Sequence, residues 1–187
     1  MTKTQLRTKY KLLRKSLSEE HIEDDSLKIA NQLLTLPIWD HEFYHIFLSI
    51  VEHKEVNTDY ILSMLSGKDK NIIISKSNFS TREMSHVLLT DSTKIKKNDW
   101  NIPEPINGIS ISSQQIEVVF IPLLACDKKG NRVGYGKGFY DKFLAKCKPE
   151  TIKIGLSFFK PEEEISDTIK DDVTLDYLVN PIAFYKF

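Results

Sequence analysis

The sequence predicts a three-layer α/β protein with a largely parallel central sheet and flanking helices, and three observations carry that reading. Short β-branched or continuously apolar runs recur at residues 46–51, 72–75, 87–89, 118–123 and 152–156, the pattern of strands buried on both faces. Segments with helical spacing precede and separate them. The chain has 187 residues, 41% of them apolar and 28% charged, which suits one domain with a sizeable core and excludes a disordered chain.

Each element has a local reason. In residues 4–17, Leu6, Tyr10, Leu13 and Leu17 recur on one helical face and leave Lys3, Arg7, Lys11 and Arg14 on the others. Ser18 caps a second helix with the apolar stripe Ile22, Ile29, Ala30, Leu33 and Leu34, and Pro37 stops it. A third helix is expected over residues 58–65 behind Thr58 as cap, and a fourth over 139–147 with Phe143 and Leu144 facing inward. Residues 99–105, Asp-Trp-Asn-Ile-Pro-Glu-Pro, carry two prolines that oppose a regular element and an aromatic, Trp100, too large to expose cheaply, so a structured loop is expected. The tail, 161–181, is acidic ahead of a strand-like run, 182–185. Repeats and low-complexity tracts are absent, and residues 1–187 read as a single domain.

Charge and cysteine content narrow the function. Lys plus Arg number 26 and Asp plus Glu 26, so no bulk field attracts nucleic acid or an anionic membrane, and an anionic ligand needs a local site. No apolar run approaches the roughly 20 residues of a membrane span. Cys126 and Cys147 form no CxxC pair, which points to a reducing, cytoplasmic compartment. The basic, acid-free N-terminus has the composition of a transit peptide or of a basic surface helix, and lacks a secretory apolar core. A monomer is expected, with no nucleic-acid or membrane partner.

The most pointed local pattern is Arg132, Val133, Gly134, Tyr135, Gly136, Lys137, Gly138, Phe139, Tyr140 and Asp141, between a strand and a helix. Glycines let a backbone turn with positive φ and approach a ligand, so that successive N–H groups converge on phosphate oxygens while Lys137 adds a mobile charge. A tight turn is the plain alternative. The pattern is not a P-loop, because Gly138 follows Lys137, and not GxGxxG, because Phe139 holds the third glycine's place. His41 to His45 matches HExxH, a zinc signature when helical. Here it follows Pro37 and runs into a strand, so two partly exposed histidines at a junction are expected. His21, His53 and His86 add no case for a metal. There is no GxSxG elbow, Cys126 reads as a buried inert thiol, and Asp171, Asp172 and Asp176 could be a solvated acidic face.

These residues, with others in order, closely resemble the 5-formyltetrahydrofolate cyclo-ligase family, also called methenyltetrahydrofolate synthetase. The likeness runs from Lys3 to about Val179. It rests on K-x-x-L-R at Lys3 to Arg7, a strand and acidic loop at Ile46 to Ile50 and Glu55 to Thr58, W-x-I-P-x-P at Trp100 to Pro105, the glycine segment from Asp127 to Asp141, and the pair Asp172 and Asp176. The resemblance implies an ATP- and Mg²⁺-dependent conversion of 5-formyltetrahydrofolate to 5,10-methenyltetrahydrofolate on a three-layer Rossmann-like α/β fold. It implies that Lys3, Arg7 and the stretch Arg132 to Tyr140 hold ATP, and that Asp141 and Asp172 serve Mg²⁺. Leu48, Glu55 and Trp100 would hold the folate together with Tyr135 to Phe139, and Lys137 and Arg132 would be catalytic. The chain departs from the family at Leu124 to Cys126, at Ser75 in place of a usual proline, and at Val133 in place of leucine. A catalytically silent folate- or nucleotide-binding relative and a kinase with another acceptor are the alternatives. Loss of Lys137 or Asp141 would mark the silent relative, and both are present.

Overall fold

The computed structural model describes every residue from Met1 to Phe187. Helix α1 (Lys3–Lys15) starts in a capping box formed by Thr2 and Gln5. Its buried side chains are Leu6, Tyr10 and Arg14, while Leu13 is 39% exposed. The inward face is therefore rotated from the expected one, and Lys3, Arg7 and Arg14 lie toward it, since residues 3, 7, 10 and 14 stack along one stripe. Helix α2 (Glu19–Leu33) begins behind Ser18, whose side chain accepts from the His21 N–H, and it buries Ile29, Ala30 and Leu33 while Leu34 stays exposed.

The strand expected over residues 46–51 forms earlier instead, as β1 (Phe43–His45), and does not extend into that run. The Ile46 N–H still bonds Ile73, but Phe47, Leu48 and Ile50 then leave the sheet and line a cavity. Helix α3 (Asp59–Gly67) follows Thr58, whose hydroxyl does not cap it and donates instead to the Phe47 carbonyl. Strands β2 (Asn71–Asn78) and β3 (Glu83–Leu88) form an antiparallel hairpin. Next come β4 (Ile95–Lys97), β5 (Pro103–Pro105) and β6 (Ile109–Ile111). The expected loop at 99–105 thus contains a strand. Its prolines are tolerated because β5 pairs only with β4 in a two-stranded ribbon, and Glu104 between them is buried, accepting from the Ser77 N–H at 2.8 Å. Trp100, at the ribbon's turn, is 56% exposed and not buried as expected; it stacks on Phe79 with ring centroids 4.1 Å apart.

Strand β7 (Val118–Pro122) is followed by the short pair β8 (Ala125–Cys126) and β9 (Arg132–Val133), helix α4 (Phe139–Leu144), β10 (Ile152–Leu156), β11 (Tyr177–Val179) and β12 (Phe184–Lys186). The eight-stranded sheet runs β12-β11-β10-β7-β1-β2-β3-β6. From β11 to β2 all neighbours are parallel, and β12, β3 and β6 are antiparallel at the edges. Alternation sorts the strands into two cores: Tyr44, Val118 and Phe120 pack with α2 and α3 on one face, and Ile73, Val119 and Ile121 pack with Phe143 and Leu144 of α4 on the other. Full burial of such a side chain contributes about 1.5–3 kcal/mol, so the continuous apolar runs specify a sheet covered on both sides. Leu6 and Tyr10 dock α1 on Leu124, Ala125 and Val133 at one end. No helix is long and apolar enough to cross a membrane.

Candidate active site at the strand carboxyl ends

Strand β1 lies between β2 and β7, so the chain winds away from it in both directions. At such a switch point the loops beyond the strand carboxyl ends separate and leave a crevice. A cavity of about 480 Å³ opens there, lined by residues that follow β1, β2 and β7, by α1 and by the glycine segment. Of the residues singled out in the sequence, Lys3, Arg7, Leu48, Glu55, Trp100, Arg132, Gly134 to Asp141 and Asp172 all line it. Val133 does not, because its side chain is buried with Leu6 and Tyr10 and serves packing.

The glycine segment is held at its base and open at its crest. Buried Asp127 accepts from the N–H groups of Lys129, Asn131 and Ile165 and from the Asn131 amide, which fixes the turn into β9. Beyond β9, none of the backbone N–H groups from Gly134 to Asp141 donates to a protein acceptor. Gly136 and Gly138 have φ of 88° and 73°, and a Cβ on Gly136 would stand 3.2 Å from the Arg7 guanidinium carbon. Glycine therefore lets Arg7 lie against the loop, where its Nε–H donates to the Gly134 carbonyl at 3.0 Å.

Cations and carboxylates alternate along the same wall. Arg132 donates to Asp141 at 2.7 Å and to the Val173 carbonyl, and Lys3 pairs with Asp172 at 2.5 Å. Burial pushes the Asp172 carboxyl up, but Lys3, the Ile169 N–H and Arg132 together hold it below the usual range. Lys137 is exposed and makes no ion pair or side-chain hydrogen bond, leaving a mobile cation beside the unpaired N–H groups.

The rest of the lining is largely apolar around one buried carboxylate. Glu55 is 4% exposed and accepts from the Ile50 N–H at 2.8 Å and from the Tyr135 hydroxyl at 2.7 Å. Arg14 donates to that hydroxyl at 3.0 Å and to the Leu123 carbonyl. Burial raises the Glu55 carboxyl, and the Ile50 N–H, Arg14 and Tyr135 offset that only in part, so its pKa stays above the usual carboxylate value. Sequence reasoning had placed Arg14 outside; its spacing from Lys3 and Arg7 was the signal available. It also passed over Phe79, which lines the cavity between Trp100 and Phe139.

The histidines need correction. His41 precedes β1 and His45 ends it, so they share no helical face, as the junction reading expected. His45, however, is fully buried and not partly exposed: its Nε2 lies 2.6 Å from Ser75 Oγ, which in turn lies 2.8 Å from Nδ1 of His86. No group of three His, Cys, Asp or Glu side chains converges as a metal cage. Cys126 is buried, and burial pushes its thiol well up, which keeps it unreactive.

Fold and cavity define an open, doubly wound α/β protein whose candidate site, the cavity, lies at the switch point beside β1. The model of the 5-formyltetrahydrofolate cyclo-ligase family matches residues 1–168, and the chain belongs to that family of ligases. It is 34% identical over 155 residues to a 5-formyltetrahydrofolate cyclo-ligase of Mus musculus, covering 76% of this chain and 73% of the relative. A Haemophilus influenzae cyclo-ligase is 28% identical over 94% of this chain and 96% of its own. The solution structure of 5,10-methenyltetrahydrofolate synthetase from Aquifex aeolicus superposes with a TM-score of 0.84 at 26% identity, covering all of this chain and 93% of that one. The family match ends before Asp172, so that residue's place at the site rests on the cavity geometry.

Proposed function

We propose that this chain converts 5-formyltetrahydrofolate and ATP to 5,10-methenyltetrahydrofolate, ADP and phosphate, with Mg²⁺. The observation that carries the reading is one cavity whose lining combines two unlike sets: open N–H groups with Lys3, Arg7, Arg132 and Lys137, and the largely apolar set Leu48, Glu55, Phe79 and Trp100. Its volume, about 480 Å³, lies within the range of small-molecule sites.

A formamide carbon is a poor electrophile, so its oxygen must first be made a leaving group. The formyl oxygen attacks the γ-phosphorus, the bond to ADP breaks, and an imidate phosphate forms. N10 then attacks the activated carbon and gives up its proton, and the C–O bond breaks to release phosphate. Phosphoryl transfer requires alignment and charge stabilisation more than a protein nucleophile. Lys137 and Arg132 supply that charge, Lys3, Arg7 and the backbone from Arg132 to Tyr140 hold ATP, and Leu48, Glu55, Trp100 and the Tyr135 to Phe139 stretch hold the folate.

Asp141 and Asp172 fit Mg²⁺. Each commits one oxygen to protein donors, Oδ1 of Asp141 and Oδ2 of Asp172, while the other has no protein donor, and both residues line the cavity. Two hard carboxylate oxygens suffice for an ion that takes its remaining ligands from phosphates and water. Bound there, it would neutralise charge on the phosphates.

Purified protein with ATP, Mg²⁺ and 5-formyltetrahydrofolate should generate the methenyl absorbance with stoichiometric phosphate. Folate binding without product would establish the silent relative, and ATP turnover independent of folate would establish another acceptor. The same reading takes the protein as a cytoplasmic, single-domain monomer. Two free cysteines support the compartment, and light scattering tests the mass.

A further inference from the structure

Three side chains, two of which (His45 and Ser75) line the cavity, have no part in the reaction derived above. His45 on β1, Ser75 on β2 and His86 on β3 form a cluster in which both imidazoles reach the same hydroxyl, with the two ring centroids 5.6 Å apart. Ser75 and His86 face each other in the β2–β3 register, and Phe143 of α4 packs on both rings. His45 is 0% and His86 5% exposed, whereas Ser75 is half-buried and lines the cavity.

Burial pushes both imidazoles down, His86 to about 4, so both rings are neutral at pH 7. A neutral imidazole carries one N–H and one bare nitrogen. The outer nitrogens, Nδ1 of His45 and Nε2 of His86, are buried and have no partner. A buried N–H without an acceptor is the costlier orphan, and a bare nitrogen the cheaper one. Each ring's proton therefore sits on its inner nitrogen, and both rings donate to Ser75. A hydroxyl has two acceptor lone pairs and one proton. Both lone pairs are filled, and the proton is left for the cavity.

We propose that Ser75 is a hydroxyl restricted to donating by His45 and His86, and that it binds the lactam carbonyl of the folate's pterin ring. Accepting two hydrogen bonds polarises the hydroxyl and strengthens its own donation. The formyl oxygen is the poorer target, since it must stay nucleophilic toward phosphorus, and the glutamate carboxylates belong at the solvated mouth. Glu55 on the same cavity accepts, so the pair would read the donor and acceptor edges of one heterocycle. The assignment rests on the proposed folate reaction.

Two measurements test it. Long-range proton–nitrogen spectra of the full chain labelled in histidine, at pH 7, should show His45 protonated at Nε2 and His86 at Nδ1. Either ring protonated on its outer nitrogen overturns the donor-only hydroxyl, whatever the ligand. Binding of 5-formyltetrahydrofolate without ATP should weaken about tenfold in Ser75→Ala and in the near-isosteric Ser75→Cys. Ser75→Thr, which keeps the hydroxyl, should stay near wild type, and MgATP affinity should hold throughout. Unchanged folate binding in Ser75→Ala and Ser75→Cys, or equal loss of both substrates, overturns the assignment. If wild-type protein binds no 5-formyltetrahydrofolate, the functional reading itself fails, and the spectra still decide the state of the hydroxyl.

Discussion

The Tyr135 hydroxyl donates to Glu55 Oε1 at 2.7 Å and ties the glycine segment to the apolar wall of the cavity. Arg14, 3% exposed on α1, donates to the same hydroxyl, so three distant stretches of chain meet at one oxygen. The Ile50 N–H, Arg14 and Tyr135 each favour the charged form of Glu55, against a burial that still leaves its carboxyl raised.

Glu55→Gln should raise KM for the folate about tenfold or more, since a hydrogen bond to a charged group contributes about 1.5–3 kcal/mol, while KM for MgATP changes little. Direct folate binding without ATP must show the same loss, because KM equals a dissociation constant only when chemistry is slow. Arg14→Met removes a cation that lowers the Glu55 pKa, so the pH below which folate binding fades should move upward. Equal losses for both substrates in Glu55→Gln, or an unmoved acid limb in Arg14→Met, would show that this chain of contacts is structural only.

Lys137→Met should leave thermal stability unchanged, because the side chain is exposed and makes no ion pair. Turnover should fall about 100- to 1000-fold, the usual loss when a charge that stabilises the transition state is removed. Turnover near wild type would mean that Lys137 stays in solvent throughout the cycle.

Asp141→Asn and Asp172→Asn should each raise the Mg²⁺ concentration needed for half-maximal activity. The shift should be at least the roughly tenfold that loss of an outer-sphere partner costs, because an amide oxygen is a weaker ligand for a hard cation. Wild-type Mg²⁺ titration curves in both variants would leave the ion to ATP and water alone.

His86 makes stability depend on pH in a definite direction. Its pKa falls from 6.5 unfolded to about 4 folded, so the unfolded chain binds the extra proton first as pH drops. The contribution is fully present above 6.5 and is lost as pH falls toward 4. It amounts to about 3 kcal/mol at about 1.4 kcal/mol per pH unit. His86→Leu should flatten that part of the melting-temperature profile; an unchanged slope between pH 6.5 and 4 would place the dependence on other groups.

Strands β7 and β10 were legible in the sequence almost to the residue, as was the Ser18 start of α2, because burial on both faces and an N-cap leave local marks. The glycine segment and the residues Lys3, Arg7, Glu55, Trp100, Asp141 and Asp172 were also visible, through their order along the chain. Only the tertiary structure turned α1 so that Arg14 faces inward, ended β1 at His45 and made β3 antiparallel. Periodicity reports which side chains avoid water, not which distant polar group will satisfy a buried one. Arg14 can be buried because Tyr135 and the Leu123 carbonyl, more than a hundred residues away in sequence, receive its protons. Likewise His45 joins Ser75 and His86 only because the β1–β2 register sets His45 beside Ile73, two residues from Ser75, and the β2–β3 register sets Ser75 opposite His86. Strand pairing decides which polar groups meet, and that information is not local to any of the three.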